Sequence, residues 1–241
     1  MNNTILEVNN LSVILDREAL LKNISFSIEK GSALAIIGPN GAGKTLLFRA
    51  LLSLIPYEGS IKWKEGVKIG YVPQKFHIER DFPLSVKEFF LLKSKNFWLP
   101  KKDFVGHLSH ELSLAGVDAN PAFLEKKMGE LSTGYLQRVL IAWAVLEHPD
   151  VLLFDEPTAG IDIGAEETIY NILHKLQEER GTTILLISHD LNVVYKYSSE
   201  VLCLNKTLVC QGAPREVLNL KQLASLYGEG SLYHHNQGIH K

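Results

Sequence analysis

Residues 38–45 read GPNGAGKT, and their types and spacing suit one task, holding a chain of phosphates. They satisfy the pattern G-x-x-x-x-G-K-[ST] without a mismatch. Gly38, Gly41 and Gly43 let the backbone approach an anion and turn its N–H groups toward it. Lys44 is expected to reach the β- and γ-phosphates as a point charge, and the Thr45 hydroxyl to hold Mg²⁺. Pro39, Asn40, Ala42 and Leu46 complete the expected nucleotide-binding segment. The flanks agree: residues 33–37 (ALAII) form a short apolar run of the buried-strand type, and the segment from Thr45 (TLLFRALLSL) reads as a helix. Strand, glycine turn and helix in that order put the positive end of a helix dipole at the phosphates.

A second set of polar residues stands at strand ends. The apolar run VLLF, residues 151–154, ends in Asp155 and Glu156. A buried parallel strand of this kind carries Asp155 to the carboxyl edge of a sheet, where Mg²⁺ at a phosphate loop needs a carboxylate. Glu156 could take a proton from an attacking water. An acidic residue there could equally cap a following helix, but it comes about 110 residues after a complete phosphate loop, and the metal reading prevails. His189 ends the next strand, TTILLIS, at the same expected edge, within reach of a γ-phosphate. Gln74 ends another strand and is a candidate to orient water or touch Mg²⁺.

These positions need a scaffold. The chain has 241 residues, 46% of them apolar, enough for one domain with subdomains. Its 25 basic and 27 acidic residues give a net charge of −2, which argues against a nucleic-acid surface. No apolar run approaches the ~18–20 residues of a bilayer span. The start, MNNTILEVNN, has no basic n-region and no apolar h-region, so no signal peptide is expected. Residues 5–8, 11–15 and 24–28 read as strands of an antiparallel sheet, 59–63 and 67–72 as two more, and 200–205 with 208–211 as a hairpin around Asn205-Lys206. Residues 85–148 are helical, opening on a capping box of Ser85 and Glu88 and broken at Pro100, Gly116 and Pro121. A helix after Glu156 buries Ile169, Ile172, Leu173 and Leu176 and stops at Gly181. A final helical piece starts near Pro214. Cys203 and Cys210 lie on the hairpin, read as two structural thiols in a reducing compartment.

With the phosphate loop, Gln74 after YVP, LSTGYLQR at 131–138, LLFDEPTAGID at 152–162 and SHD at 188–190, the chain resembles the ATP-binding cassette (ABC) family over nearly its whole length. The resemblance implies an α/β fold, a P-loop NTPase (RecA-like) core with an antiparallel β subdomain and an inserted α-helical subdomain. The core and β subdomain would take 1–84 and 149–218, the helical subdomain 85–148, and a histidine-containing tail 219–241. It implies binding and hydrolysis of ATP, with Thr45, Gln74 and Asp155 on Mg²⁺, Glu156 as base, and Lys44 and His189 on the γ-phosphate. Leu131, Ser132, Thr133, Gly134 and Tyr135 would form the signature that completes a partner copy's site, and Asp162 would couple the two sites. Three residues depart from the family pattern: Thr133 replaces a glycine, Tyr135 replaces a glutamine, and Leu15 stands where an aromatic residue usually stacks on adenine.

The resemblance also implies partners: a homodimer, a membrane permease on whose cytoplasmic face the chain sits peripherally, an extracytoplasmic metal-binding protein and no nucleic acid. The stretch YVPQKFHIERDFPLSVKEFF, residues 71–90, is similar to the zinc/manganese importer branch in its R-D-F-P core. The tail carries His234, His235 and His240, which read either as a weak metal site or as a polar terminus. Zinc is expected ahead of manganese as cargo. An ABC ATPase for another substrate class, one acting on DNA or ribosomes, and a largely non-hydrolysing regulatory subunit are the other readings.

Overall fold

The computed structural model describes residues 3–93, 101–157 and 163–227. In chain order these form β1 (Thr4–Leu15), β2 (Glu18–Glu29), β3 (Ala33–Ile37), α1 (Lys44–Leu51), β4 (Glu58–Trp63), β5 (Ile69–Val72), α2 (Val86–Leu91), α3 (Lys101–Leu114), α4 (Pro121–Leu124), α5 (Thr133–Val145), β6 (Val151–Asp155), α6 (Ile163–Arg180), β7 (Thr183–Ile187), α7 (Leu191–Tyr197), β8 (Glu200–Asn205), β9 (Thr207–Gly212), α8 (Pro214–Val217) and α9 (Leu220–Tyr227). A 3₁₀ turn, Met128–Glu130, precedes α5. The contacts group into two compact units, Met1–Val67 with Gly181–Lys241, and Lys68–Arg180.

In the first unit β1 pairs antiparallel with both β2 and β4. Asn9-Asn10 interrupts the apolar pattern and predicts two strands, yet β1 runs through it. The register shifts between Val8 and Leu11, Asn10 takes φ +50°, and its N–H donates to Ser25 Oγ at 2.8 Å. A bulge therefore absorbs the polar pair without leaving an amide unbonded. In the same unit β3 lies parallel between β7 and β8, and β9 runs antiparallel to β8. Every residue of β3 and β7 is buried, as their unbroken apolar runs require. Cys203 stands opposite Cys210 on the β8–β9 hairpin, with Cα atoms 4.8 Å apart. The two are joined as a disulfide, not separate thiols as the sequence suggests, because this register places them face to face.

In the second unit β5 pairs parallel with β6, and α2 to α6 supply the rest. The expected helix start at Ser85 and the break at Pro121 both carry caps, while Pro100 lies outside the described residues. Ser85 and Glu88 form the expected capping box; the Ser85 N–H and hydroxyl both donate to the Glu88 carboxylate and hold it below the usual carboxylate range. Asn120 caps α4 ahead of Pro121, and Ser132 caps α5. Ile169, Ile172, Leu173 and Leu176 form the buried face of α6, and Gly181 follows its last residue at φ +64°. Arg180 makes two bonds to the buried Glu111 carboxylate, at 3.1 and 3.2 Å. Among the described residues no helix is long and apolar enough to cross a membrane.

Removing the guanidinium would leave Glu111 buried without its counter-ion. Arg180→Met should therefore cost about 3 kcal/mol, or about 6–12 °C of Tm for a chain of this size. Thermal unfolding followed by circular dichroism measures it; a shift under about 2 °C would show that the pair contributes little.

Candidate active site

The phosphate loop lies in the first unit, between β3 and α1. Gly38 leaves β3 against the backbone of β8: a Cβ built there would lie 2.0 Å from the Leu204 carbonyl oxygen. Gly41 and Gly43 take φ of +79° and +95°, which side chains resist. Gly43 also passes 2.4 Å, as a built Cβ, from the Leu21 side chain of β2. It offers no side chain to cap α1, and no acidic residue stands in the first turn. That helix end therefore suits an anion. Lys44 is buried and donates to the carbonyl oxygens of Gly38 at 2.9 Å and Pro39 at 3.1 Å. The ammonium is thus held over the loop's entrance. Thr45 follows it in the first turn of α1.

His189 belongs to the same unit. Ile36 pairs with Ile187 in the parallel β3–β7 register, which sets His189 level with Gly38, at the edge where the loop begins. It is exposed. Leu15 closes β1, opposite Glu18, beside a tight turn in which Asp16 and Arg17 take φ of +49° and +67°.

Three further candidates lie in the second unit. Asp155 is fully buried at the end of β6. Val72 pairs with Phe154, so two residues on, Gln74 comes level with Glu156. The Gln74 Nε2 group donates to Glu156 Oε2, while Glu156 takes φ +48°, which turns it out of the strand. The sequence marks these two residues for separate reasons; register brings them together. Leu131 to Tyr135 also lie here, at the start of α5. Ser132 Oγ accepts from the Tyr135 N–H at 3.5 Å. Ser132, Thr133 and Tyr135 are exposed, the Tyr135 ring resting 5.8 Å from that of Phe123. Asp162, the tail histidines and residues 94–100 fall outside the described residues.

Two supporting elements escape the sequence reading. One is α7, capped by Asp190, whose side chain accepts from the Asn192 N–H at 2.8 Å; an acidic residue ahead of LNVV was its signal. The other is the hold that the expected β8–β9 turn has on the loop. Lys206 donates its N–H to the Ala42 carbonyl at 3.0 Å, and its own carbonyl accepts from Lys22 N–H at 2.8 Å. These backbone bonds leave no trace in residue types.

The family described as ABC transporter matches residues 21–159. The zinc import ATP-binding protein ZnuC of Yersinia enterocolitica is 38% identical over 97% of this chain and 92% of that protein. The chain belongs to the ABC transporter family. The ZnuC protein of Cereibacter sphaeroides is 35% identical, over 96% of this chain and 94% of its own. Among solved structures, a metal-chelate type ABC transporter in an inward-facing conformation gives a TM-score of 0.81 at 27% identity, covering 93% of this chain and 88% of that one. A dimeric ATP-binding cassette in a post-hydrolysis state, bound to ADP and phosphate, gives 0.75 at 25% identity, covering 88% and 99%. The fold is that of an ABC cassette, a P-loop NTPase core with a β subdomain and a helical part, and the ABC chain is an ATP-binding ATPase.

The loop's glycines differ in what a side chain would meet. Gly41→Ala meets no atom within 4 Å and should cost only the ~1–2 kcal/mol of a left-handed residue. Gly38→Ala drives a methyl into the Leu204 carbonyl and should lower Tm clearly further and weaken MgADP binding at least tenfold more. Equal effects of the two in parallel melts and titrations would mean that Leu204 does not confine the loop.

Proposed function

We propose that this ABC ATPase powers zinc import, two copies docking on the cytoplasmic face of a separate membrane permease. The cargo reading rests on relatives named for zinc import that match nearly end to end at 35–38% identity. The observation that carries the coupling is the Gln74 amide on the Glu156 carboxylate. Gln74 begins the segment that runs through Arg80-Asp81-Phe82-Pro83 to α2. Phe82, Leu91 and Leu92 are exposed there, at 50%, 46% and 72%, more apolar surface than a short solvent-facing stretch needs. A permease covering it would bear on Gln74, and through Gln74 on Glu156. An extracytoplasmic metal-binding protein would deliver the cargo.

At the phosphate loop, Lys44 exchanges two neutral carbonyl acceptors for charged phosphate oxygens, a stronger pairing. The uncapped start of α1 adds its N–H groups. The Thr45 hydroxyl, the buried Asp155 carboxylate and the Gln74 amide are hard oxygen donors of the kind Mg²⁺ accepts, and they would hold that ion, whose charge offsets charge on the phosphates. Glu156 takes a proton from the attacking water while Gln74 keeps its carboxylate turned inward. His189 steadies the γ-phosphate. Ser132 and Gly134 at the start of α5 complete the site of the other copy, and Asp162 couples the two. Positioning and charge stabilisation supply most of the rate.

Glu156→Gln should keep MgATP binding and lower hydrolysis by about 10²–10⁴, the range of a lost general base; near-normal turnover in a steady-state assay would remove Glu156 from that role. Vesicles bearing the permease complex and its binding protein should accumulate Zn²⁺ when given ATP. Uptake of manganese alone would reject zinc, and uptake of an amino acid, sugar or peptide with neither metal would reject metal transport.

A further inference from the structure

In the second unit, the segment between Gln74 and α2 is held by the turn that launches α5. Met128 donates its N–H to the Leu84 carbonyl at 2.8 Å, and Val86 donates to the Lys126 carbonyl at 2.9 Å. Between these two bonds Ser85 and Lys127 stand opposite one another as an isolated antiparallel bridge. Met128 is fully buried and anchors its side of the contact. Gly129, next in the 3₁₀ turn, lies against the backbone of Glu79 and Arg80. A Cβ built there would meet the Arg80 Cα at 2.7 Å, and the Glu79 carbonyl oxygen closer still. Gly129 has no left-handed φ, so what it supplies is space. The Glu79 carbonyl that rests on Gly129 also accepts the Phe82 N–H at 3.0 Å, and Phe82 is exposed. On the other side the Leu131 N–H donates to the Met128 carbonyl at 3.3 Å, and Ser132 caps α5. An exposed aromatic residue and the start of α5 are thus joined by backbone contacts on both sides of one glycine.

We propose that residues 79–86 and 126–129 form a clasp that stays closed through turnover, with Gly129 as the positioning residue that seats the start of α5 on the segment carrying Phe82. Whatever covers Phe82 then moves Ser132 and Gly134 with it. The permease bears in this way on two sites at once. Through Gln74 it reaches Glu156 of the same chain, and through Gly129 it reaches the phosphates bound by the partner copy. The 79–80 side of the contact is backbone and tolerates any residue type, whereas position 129 admits only glycine while the two backbones keep this distance. The inference rests on the proposed function, in which residues 131–135 complete the site of a second copy.

Gly129→Ala must push the Glu79–Arg80 backbone away and shift the start of α5. A misplacement of about 1 Å can cost about 10²-fold in rate, so kcat of the assembled transporter should fall by about tenfold or more. The Kd of the full-length chain for MgADP, set at the phosphate loop, should stay within about twofold of wild type. Both are measured well below the variant's Tm, where a loss of stability alone moves neither. A kcat that falls by less than about tenfold overturns the proposal. Should this variant fail to fold, a second pair of substitutions decides. Ser85→Cys with Lys127→Cys puts two thiols across the bridge, where a mild oxidant can join them. The locked transporter should turn over ATP within about twofold of wild type treated alike, because the clasp never opens. A larger drop on locking, restored by reductant, would show that the two sides must part, and thiols that do not join would show that the bridge is not closed; either result rejects the clasp. If the wild-type transporter itself hydrolyses no ATP, the functional reading fails. Amide hydrogen exchange then still decides the clasp: the Met128 N–H should be protected by its bond to Leu84, and fast exchange there rejects it.

Discussion

The tightest constraint in the structure is the passage of the Gly38 backbone past the Leu204 carbonyl, with no room for a side chain between them. A chain can run that close to another only if both are fixed by neighbouring strands. β3 and β8 are fixed in this way, hydrogen-bonded along Leu34 to Ile37 and buried along β3 on both faces. The loop then has one exit, over Gly41 and Gly43 with positive φ, into a helix whose first N–H groups have no side chain to cap them. Lys44 fills the resulting concavity from within. Each later feature of the nucleotide site presupposes this path, and the path presupposes the apolar strand that launches it.

The second unit obeys a similar logic with different means. Its decisive contact, Gln74 to Glu156, follows from parallel pairing of β5 and β6. Two strands of different sequence, in register, deliver two polar side chains to one point. The positive φ of Glu156 is the local cost, of the kind found where a backbone is bent to serve a side chain. Thr133 and Tyr135 are exposed at the start of α5, where a β-branched residue and an aromatic ring are tolerated by the helix because both precede its packed part. Their departure from the family pattern thus bears on whatever meets that helix end, not on the stability of the unit.

Much of this was legible in residue order because the signals are local. Glycine spacing, a capping box and an unbroken run of five apolar residues each act within a turn or a strand, and each appears where expected. Asp155 and Glu156 were readable because a buried strand must end in something that interacts with the sheet edge. What could not be read depends on partners distant in sequence. The continuity of β1 through Asn9-Asn10 needs Ser25 to accept an amide. The Cys203–Cys210 bond needs the hairpin register. The support given by Lys206 to the phosphate loop spans more than 160 residues of chain and uses backbone groups, which composition cannot reveal. The short helix α7 was missed because seven residues carry too little periodicity to stand out.

On the proposed function, the phosphate loop of one copy and the start of α5 of a second copy make one complete site between them. The most direct measurement is the specific ATPase activity of the purified chain as a function of its concentration. Activity per molecule should rise with concentration and level off as the dimer population saturates, and glutaraldehyde cross-linking in the presence of ATP should follow the same curve. Activity per molecule that is constant from high dilution upward, with the protein monomeric throughout, would contradict a shared site.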